Sequence, residues 1–163
     1  METRARTNQL LLLSFLATVV MLFAAFTAAY LIRRTAADWG RVDLPRVFWL
    51  NTAVLIASSG TIELARRRSD RRWLLATTAL GLLFLGGQLL GWRTMAANGV
   101  FLPTHPHSAF IYMLTAVHGL HLLGGLGALL YAILRATSVG LCATYWHFVD
   151  AVWIYLLIML TVL

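Results

Sequence analysis

Five apolar runs, each at least about 18 residues long, limit what this sequence can fold into, because a helix of that length crosses the hydrocarbon core of a bilayer. The chain of 163 residues is 60% hydrophobic, so it has too little polar surface to cover a soluble globule of this size. We predict an all-α, polytopic transmembrane bundle that forms a single domain over residues 1–163. The five spans are expected at about 10–32, 47–64, 73–95, 108–134 and 141–163.

Short connections separate the runs. Pro45 precedes span two, Asn98-Gly99 follows span three, and a turn is expected from Ser138 to Gly140. The first run is too long for the core of a signal peptide and lacks a convincing small-residue cleavage site. We therefore expect it to be a retained span.

The charged residues indicate membrane topology. All 13 basic residues are arginines, and most lie at the ends of apolar runs, so the net charge of +7 does not predict a nucleic-acid partner. A cytoplasmic N-terminus places eight arginines inside: Arg4, Arg6, Arg66, Arg67, Arg68, Arg71, Arg72 and Arg135. Five are then outside: Arg33, Arg34, Arg41, Arg46 and Arg93. Five spans put the C-terminus outside, and the Arg66 to Arg72 cluster is expected in the cytoplasm.

Polar residues interrupt spans four and five, where an ionised group at the bilayer centre costs at least ~2.5 to 3.5 kcal/mol. Such groups are expected to face the bundle interior and to find partners there. We predict a buried, structural polar network of Thr115, His118, His121, Tyr145, His147 and Asp150. Helix packing is assigned to Gly119, Gly124, Gly125, Trp146 and Trp153.

A haem or metal site is the rival interpretation of these histidines, since His118, His121 and His147 could belong to one. However, a His-x-x-His pair lacks the i, i+4 geometry of a zinc site, and Cys142 is the single cysteine of the sequence. We therefore predict no catalytic, cofactor-binding or metal-binding residue and no cofactor in this chain. His105 and His107 lie beside prolines and are expected to be solvated.

Two of these segments carry a family resemblance. Thr-Ala-Val-His-Gly-Leu-His-Leu-Leu-Gly-Gly, from Thr115 to Gly125, resembles the Thr-Gly-x-His-Gly-x-His-Val-x-x-Gly segment of haem-copper oxidase subunit III. Tyr145-Trp146-His147-Phe148-Val149-Asp150-x-x-Trp153 resembles the last helix of that family. Segments of spans one, two and three agree in order, so the resemblance covers nearly the whole chain in the short, five-helix form.

The resemblance implies an accessory, non-catalytic subunit of a bacterial haem-copper terminal oxidase in aerobic respiration, the electron donor being cytochrome c or quinol. Its expected partners are the catalytic subunit I, which holds haem and copper, other oxidase subunits and membrane lipid, including bound phospholipid. The subunit would stabilise subunit I and support its proton uptake in the bacterial cytoplasmic membrane. The family has carboxylates at the positions of Val19 and Gly91, which this sequence lacks.

Two alternatives to this function remain open from the sequence. The same motifs occur in the subunit III-like protein of nitric oxide reductase systems. A stand-alone membrane haem protein would instead use the three intramembrane histidines as ligands.

Overall fold

The computed structural model describes the backbone of residues 2–68, 70–135 and 139–163, with side chains from Arg6 onward, and its described residues form five α-helices. These are α1 (Glu2–Arg33), α2 (Val47–Arg68), α3 (Arg71–Ala97), α4 (Pro106–Arg135) and α5 (Gly140–Val162). All five are long and apolar enough to cross a membrane. The predicted all-α fold with five spans is confirmed.

The helices extend beyond the apolar runs that predicted them. α1 begins at Glu2 instead of near Leu10, and α2 continues through the arginines to Arg68. Hydropathy marks the part of a helix that lies in hydrocarbon, whereas Glu, Gln and Arg are good helix formers that prolong it into the headgroup layer. In the predicted turn from Ser138 to Gly140, Ser138 lies outside the described residues, and α5 begins at Gly140.

The chain divides into two compact units, Met1–Trp39 and Gly40–Leu163. In the first unit, the residues after α1 fold back on its last turn. Arg33 donates hydrogen bonds of 2.7 and 2.6 Å to the two carboxylate oxygens of Asp38. These bonds hold the pKa of Asp38 below its usual value, so the pair stays ionised at neutral pH. The rings of Tyr30 and Trp39 meet edge to face, with centroids 5.0 Å apart.

The second unit is a ring of four helices. α2 packs against α3 and α5, and α4 packs against the same two helices. The diagonal helices α3 and α5 meet through long side chains, such as Phe84 and Trp153, whose ring centroids are 4.8 Å apart. Short connections make sequence neighbours antiparallel, as in an up-and-down bundle. The interior is apolar and aromatic, and its fully buried residues include Phe48, Leu55, Phe84, Leu114, Leu122, Leu129, Trp146 and Trp153.

Local capping explains the ends of α3. Asp70 precedes the helix and accepts a 2.9 Å hydrogen bond from the Arg72 amide, which satisfies one of the free N–H groups of the first turn. At the other end, the Val100 amide donates to the Met95 carbonyl and Gly99 adopts a φ of 76°. This is a Schellman motif, in which glycine takes the left-handed position without steric cost.

Within the second unit, residues 40–46, which precede α2, are fixed to the helices by two side chains. Arg41 donates to the Thr161 carbonyl at 2.9 Å, at the C-terminal end of α5, where a cation is favourable. His107 accepts a 2.9 Å hydrogen bond from the Val42 amide through Nδ1 and is 1% exposed. The expectation that His107 is solvated was therefore wrong, because its ring turns inward from the first turn of α4.

Candidate functional site on the seam between α2 and α5

Side chains of α2 and α5 meet along a line of polar contacts that we call the α2–α5 seam. It is defined by Thr52, Ser58, Ser59 and Glu63 on α2 and by Trp146, His147, Asp150 and Trp153 on α5. The spacing explains why one line can form: Trp146 and Trp153 are two turns apart, and antiparallel packing sets them against hydroxyls that are also nearly two turns apart. The seam closes the ring of four helices.

Two tryptophans form the buried part of the seam. The Trp146 indole N–H donates to Ser58 Oγ at 2.9 Å, and the Trp153 indole N–H donates to Thr52 Oγ1 at 3.0 Å. Each hydroxyl in turn donates to a carbonyl of its own helix, Ser58 to Leu55 and Thr52 to Phe48. Every polar atom of these two pairs is thus satisfied inside an apolar bundle, where an unpaired one would be costly.

Ser59 connects the two polar residues of α5. Its hydroxyl contacts Asp150 Oδ2 at short range and lies 3.1 Å from His147 Nδ1. Asp150 is 5% exposed, and its Oδ1 has no hydrogen-bond partner among the described residues. A buried carboxyl therefore shares one small hydroxyl with an imidazole.

The outer end of the seam is charged. Glu63 accepts hydrogen bonds from Arg66 at 2.8 and 2.9 Å and from Arg67 at 2.7 Å. Its Oε2 lies 3.9 Å from His147 Nε2, and the His147 side chain is 43% exposed. A line of titratable and hydroxyl groups thus leads from exposed arginines through Glu63, His147 and Ser59 to buried Asp150. Such groups can exchange protons by reorganising hydrogen bonds.

The six residues predicted to form one network lie in separate places. His147 and Asp150 meet at Ser59, while Thr115 accepts a 3.0 Å hydrogen bond from the Trp92 indole N–H between α3 and α4. Tyr145 donates to the His121 carbonyl at 2.8 Å, and the His121 Nδ1–H donates to the Val117 carbonyl at 2.8 Å. His118 is fully buried between Phe84 and Trp153. Five of the six residues bond to Ser59, to Trp92 or to backbone carbonyls.

The exposure of His147 corrects its expected burial. Trp146, Asp150 and Trp153 form the inner face of α5, and residue 147 is turned about 100° from residue 146 around the helix axis. Its ring therefore points toward the surface. A structural role for the six residues remains a prediction.

Ser59 was not among the site residues predicted from the sequence, although the structure places it at the centre of the seam. The available signal was its position one residue beyond Ser58 in an otherwise apolar span. A lone hydroxyl is common in transmembrane helices, and its partners lie 88 and 91 residues away.

Of the glycines assigned to packing, Gly125 lies closest to another helix. A β-carbon there would lie 3.0 Å from the Tyr145 ring and 3.3 Å from the Trp146 ring, whereas at Gly119 and Gly124 the nearest atoms are 3.9 and 3.7 Å away. Closer approaches occur on α3, at Gly81 and Gly87. Gly91 faces the Phe48 ring, and a β-carbon there would lie 2.8 Å from it, so an aromatic ring fills the space beside this glycine.

Within the described residues, no group of three or more His, Cys, Asp or Glu side chains is arranged to hold a metal ion. The seam itself consists of hydrogen bonds and charged contacts between α2 and α5.

Comparison with known proteins gives consistent matches over most of the chain. No family model matches it. A probable cytochrome c oxidase subunit 3 of Mycobacterium bovis is 34% identical over 164 residues, covering 87% of this chain and 81% of the relative. Cytochrome c oxidase subunit 3 of Thermostichus vulcanus is 34% identical over 93% of this chain and 85% of its own. The protein of that name from a Synechocystis species is 31% identical over 91% of this chain and 72% of its own.

Proposed function

This chain belongs to the cytochrome c oxidase subunit III family, and from that premise we propose that it binds the catalytic subunit I, stabilises it in the membrane and supports its proton uptake. Family membership makes it an accessory subunit of a haem-copper oxidase and a membrane protein. The names of the relatives favour an oxidase over a nitric oxide reductase. Haem and copper are then expected in subunit I.

Open small-residue positions on the helix surfaces support docking on a larger partner. A β-carbon at Gly60, Gly86 or Gly127 would meet no described atom within 4 Å, and large apolar side chains surround these positions. Small residues on lipid-facing helices allow another helix to approach closely, and this packing drives helix association in a bilayer. The proposed occupant is subunit I.

The α2–α5 seam carries the proposal about proton uptake. Its outer end combines the exposed His147 imidazole and the Glu63 carboxylate with several arginines. An imidazole can carry a proton on either ring nitrogen, so it can take a proton from water at one nitrogen and release one at the other. The arginine excess at this end favours a cytoplasmic orientation, on the side from which an oxidase takes up protons.

We further propose that the subunit lies in the bacterial cytoplasmic membrane and binds phospholipid at this arginine-rich end. Arg68, Arg71 and Arg72 are exposed there. Anionic headgroups bind basic residues at the membrane surface with about 1 kcal/mol per charge.

Two variants of the intact oxidase separate stabilisation from proton uptake. Asp150→Leu leaves Ser59 without its buried partner, so we expect the subunit to be lost from the purified complex. His147→Gln keeps a group that can bond to Ser59 but cannot take up a proton. We therefore expect full occupancy of the complex by the subunit and a several-fold lower initial oxidase rate at alkaline pH. Occupancy and initial rate are measured in one preparation.

Thr144→Val is the matched control, because this exposed threonine of α5 bonds to the carbonyl of Gly140 in its own helix. It should change neither quantity. Full occupancy in Asp150→Leu would contradict stabilisation through the seam. An unchanged rate of His147→Gln at every pH would contradict the role in proton uptake.

A further inference from the structure

Two polar side chains buried within the four-helix ring have no hydrogen-bond partner in the part of the chain that the structure describes. Gln88 of α3 is 3% exposed and His118 of α4 is 0% exposed. Both nitrogen and oxygen atoms of the Gln88 carboxamide, and both ring nitrogens of His118, have no hydrogen-bond partner among the described residues. Buried polar side chains in native proteins are nearly always bonded, so four such atoms in one region require an explanation.

The two side chains lie at the same depth in the bundle. On these antiparallel helices, the Trp92 indole bonds to Thr115 at 3.0 Å. Gln88 lies one helical turn before Trp92 on α3, and His118 lies one turn after Thr115 on α4. The His118 ring also contacts Phe84, one turn before Gln88, at 5.8 Å between ring centroids. His118 is therefore level with Gln88.

The polar groups around this pair already make hydrogen bonds. The Trp153 ring lies 5.0 Å from the His118 ring, and its indole N–H donates to Thr52. The Thr115 hydroxyl donates to the Ile111 carbonyl, and the Asn51 amide donates to the Phe84 carbonyl. The Trp153 indole and the Thr115 hydroxyl have one hydrogen each, so neither can donate to His118 or Gln88 without giving up the bond that it already makes.

We propose that Gln88 and His118 bind a buried water between α3 and α4. A carboxamide has an acceptor oxygen and a donor NH₂ group, and a neutral imidazole has one donor and one acceptor nitrogen. A water molecule, with two donor and two acceptor sites, complements both side chains, and buried waters typically make about three such bonds. The site borders the seam at the Trp153 ring, and the proposal does not depend on the proposed role in proton uptake.

The direct test is a density map of the intact oxidase at a resolution that shows ordered water. The expected result is a density peak within hydrogen-bond distance of both the Gln88 carboxamide and the His118 ring. A direct hydrogen bond between the two side chains, or a region without a peak between them, would overturn the proposal.

Variants provide a second test through the thermal release of the subunit from the complex. Gln88→Leu and His118→Phe should each lower the release temperature, because each strands the other residue and its water. The double variant should lower the release temperature by less than the sum of the two single variants. Gln88→Asn should retain most of the stability, because a water can bridge the extra gap that a direct bond could not.

Trp92→Phe is the matched control on the same two helices, where the partners bond directly and no water is expected. When Trp92→Phe is combined with His118→Phe, the decreases in release temperature should add. Additive losses for Gln88→Leu with His118→Phe, or a loss in Gln88→Asn as large as in Gln88→Leu, would contradict a water-bridged pair.

Discussion

At the scale of single residues, the indole N–H groups of α5 define how the bundle closes. Trp146 and Trp153 each supply a large apolar ring and one donor, and each donor reaches a small hydroxyl of α2. Hydrogen bonds between transmembrane helices contribute about 0.6 kcal/mol on average and up to about 1.7 kcal/mol. Two such bonds add little to stability compared with ring packing, but they fix the register of α5 on α2.

Replacement of Trp153 by Phe tests this division of roles. The variant keeps an aromatic ring beside Phe84 and His118 but loses the bond to Thr52, so we expect a destabilisation of about 1 to 3 kcal/mol from the lost bond and the smaller ring. Chemical unfolding of the subunit in detergent measures it. Trp49→Phe, at an exposed position of α2, should stay within about 0.5 kcal/mol of the parent. Equal losses for both variants would contradict a specific role for the seam.

The site was less predictable than the fold at this scale. Period and hydropathy correctly indicated that Asp150, Trp146 and Trp153 face inward. They did not identify Ser59 as the partner of Asp150, because a contact between residues 91 positions apart depends on which helices are neighbours. The outward turn of His147 depends on the rotation of α5, which its nearly continuous apolar sequence leaves unspecified.

At the scale of elements, α3 is the helix with the closest approaches. A β-carbon at Gly81 would lie 2.8 Å from the Trp146 ring, and one at Gly87 would overlap the Asn51 carboxamide. The neighbouring Gly86 faces open space, with no described atom within 4 Å. Adjacent glycines of one helix therefore differ in environment, because one faces α2 and the other faces the bundle surface.

The pair Gly86 and Gly87 provides a controlled comparison. Gly87→Ala forces α3 away from α2 or displaces Asn51 from its bond to the Phe84 carbonyl, so we expect a loss of about 1 to 3 kcal/mol in subunit stability. Gly86→Ala should be neutral or slightly stabilising, because alanine is the better helix former. The same unfolding assay measures both variants. A Gly87→Ala protein as stable as Gly86→Ala would contradict the close approach of α2 and α3.

The sequence predicted the number of helices better than the residues at which they begin and end. The five spans were predictable because each needs a long apolar run, and proline and Asn98-Gly99 mark the break between α3 and α4. Helix ends were less predictable, since Arg66, Arg67 and Arg68 read as a loop by hydropathy but continue α2. Their side chains are exposed while their backbone remains in the helix.

At the scale of the whole molecule, the arginines are divided unequally between the two ends of the four-helix ring. Six lie at the end formed by the α2–α3 connection and the C-terminus of α4: Arg66, Arg67, Arg68, Arg71, Arg72 and Arg135. Three lie at the other end: Arg41, Arg46 and Arg93. Short loops rich in arginine are retained in the cytoplasm, so this asymmetry favours one orientation.

The expected topology places the C-terminus outside the cytoplasm. A reporter that is active only outside, fused after Leu163, should be active, whereas the same reporter placed between α2 and α3 should be inactive. Replacing the arginines of that connection with glutamine should reduce the difference, because it removes the topology signal. Activity of a cytoplasm-specific reporter after Leu163 would overturn the orientation.

The closure of the ring by α5 also orders events during synthesis. α2, α3 and α4 can pack on one another as each leaves the ribosome and enters the bilayer, but the hydroxyls of Ser58 and Ser59 and the Glu63 carboxylate meet their α5 partners only when the last 23-residue helix arrives. Until then these side chains are without their α5 partners, so the order in which the helices are synthesised sets the order in which the ring can close.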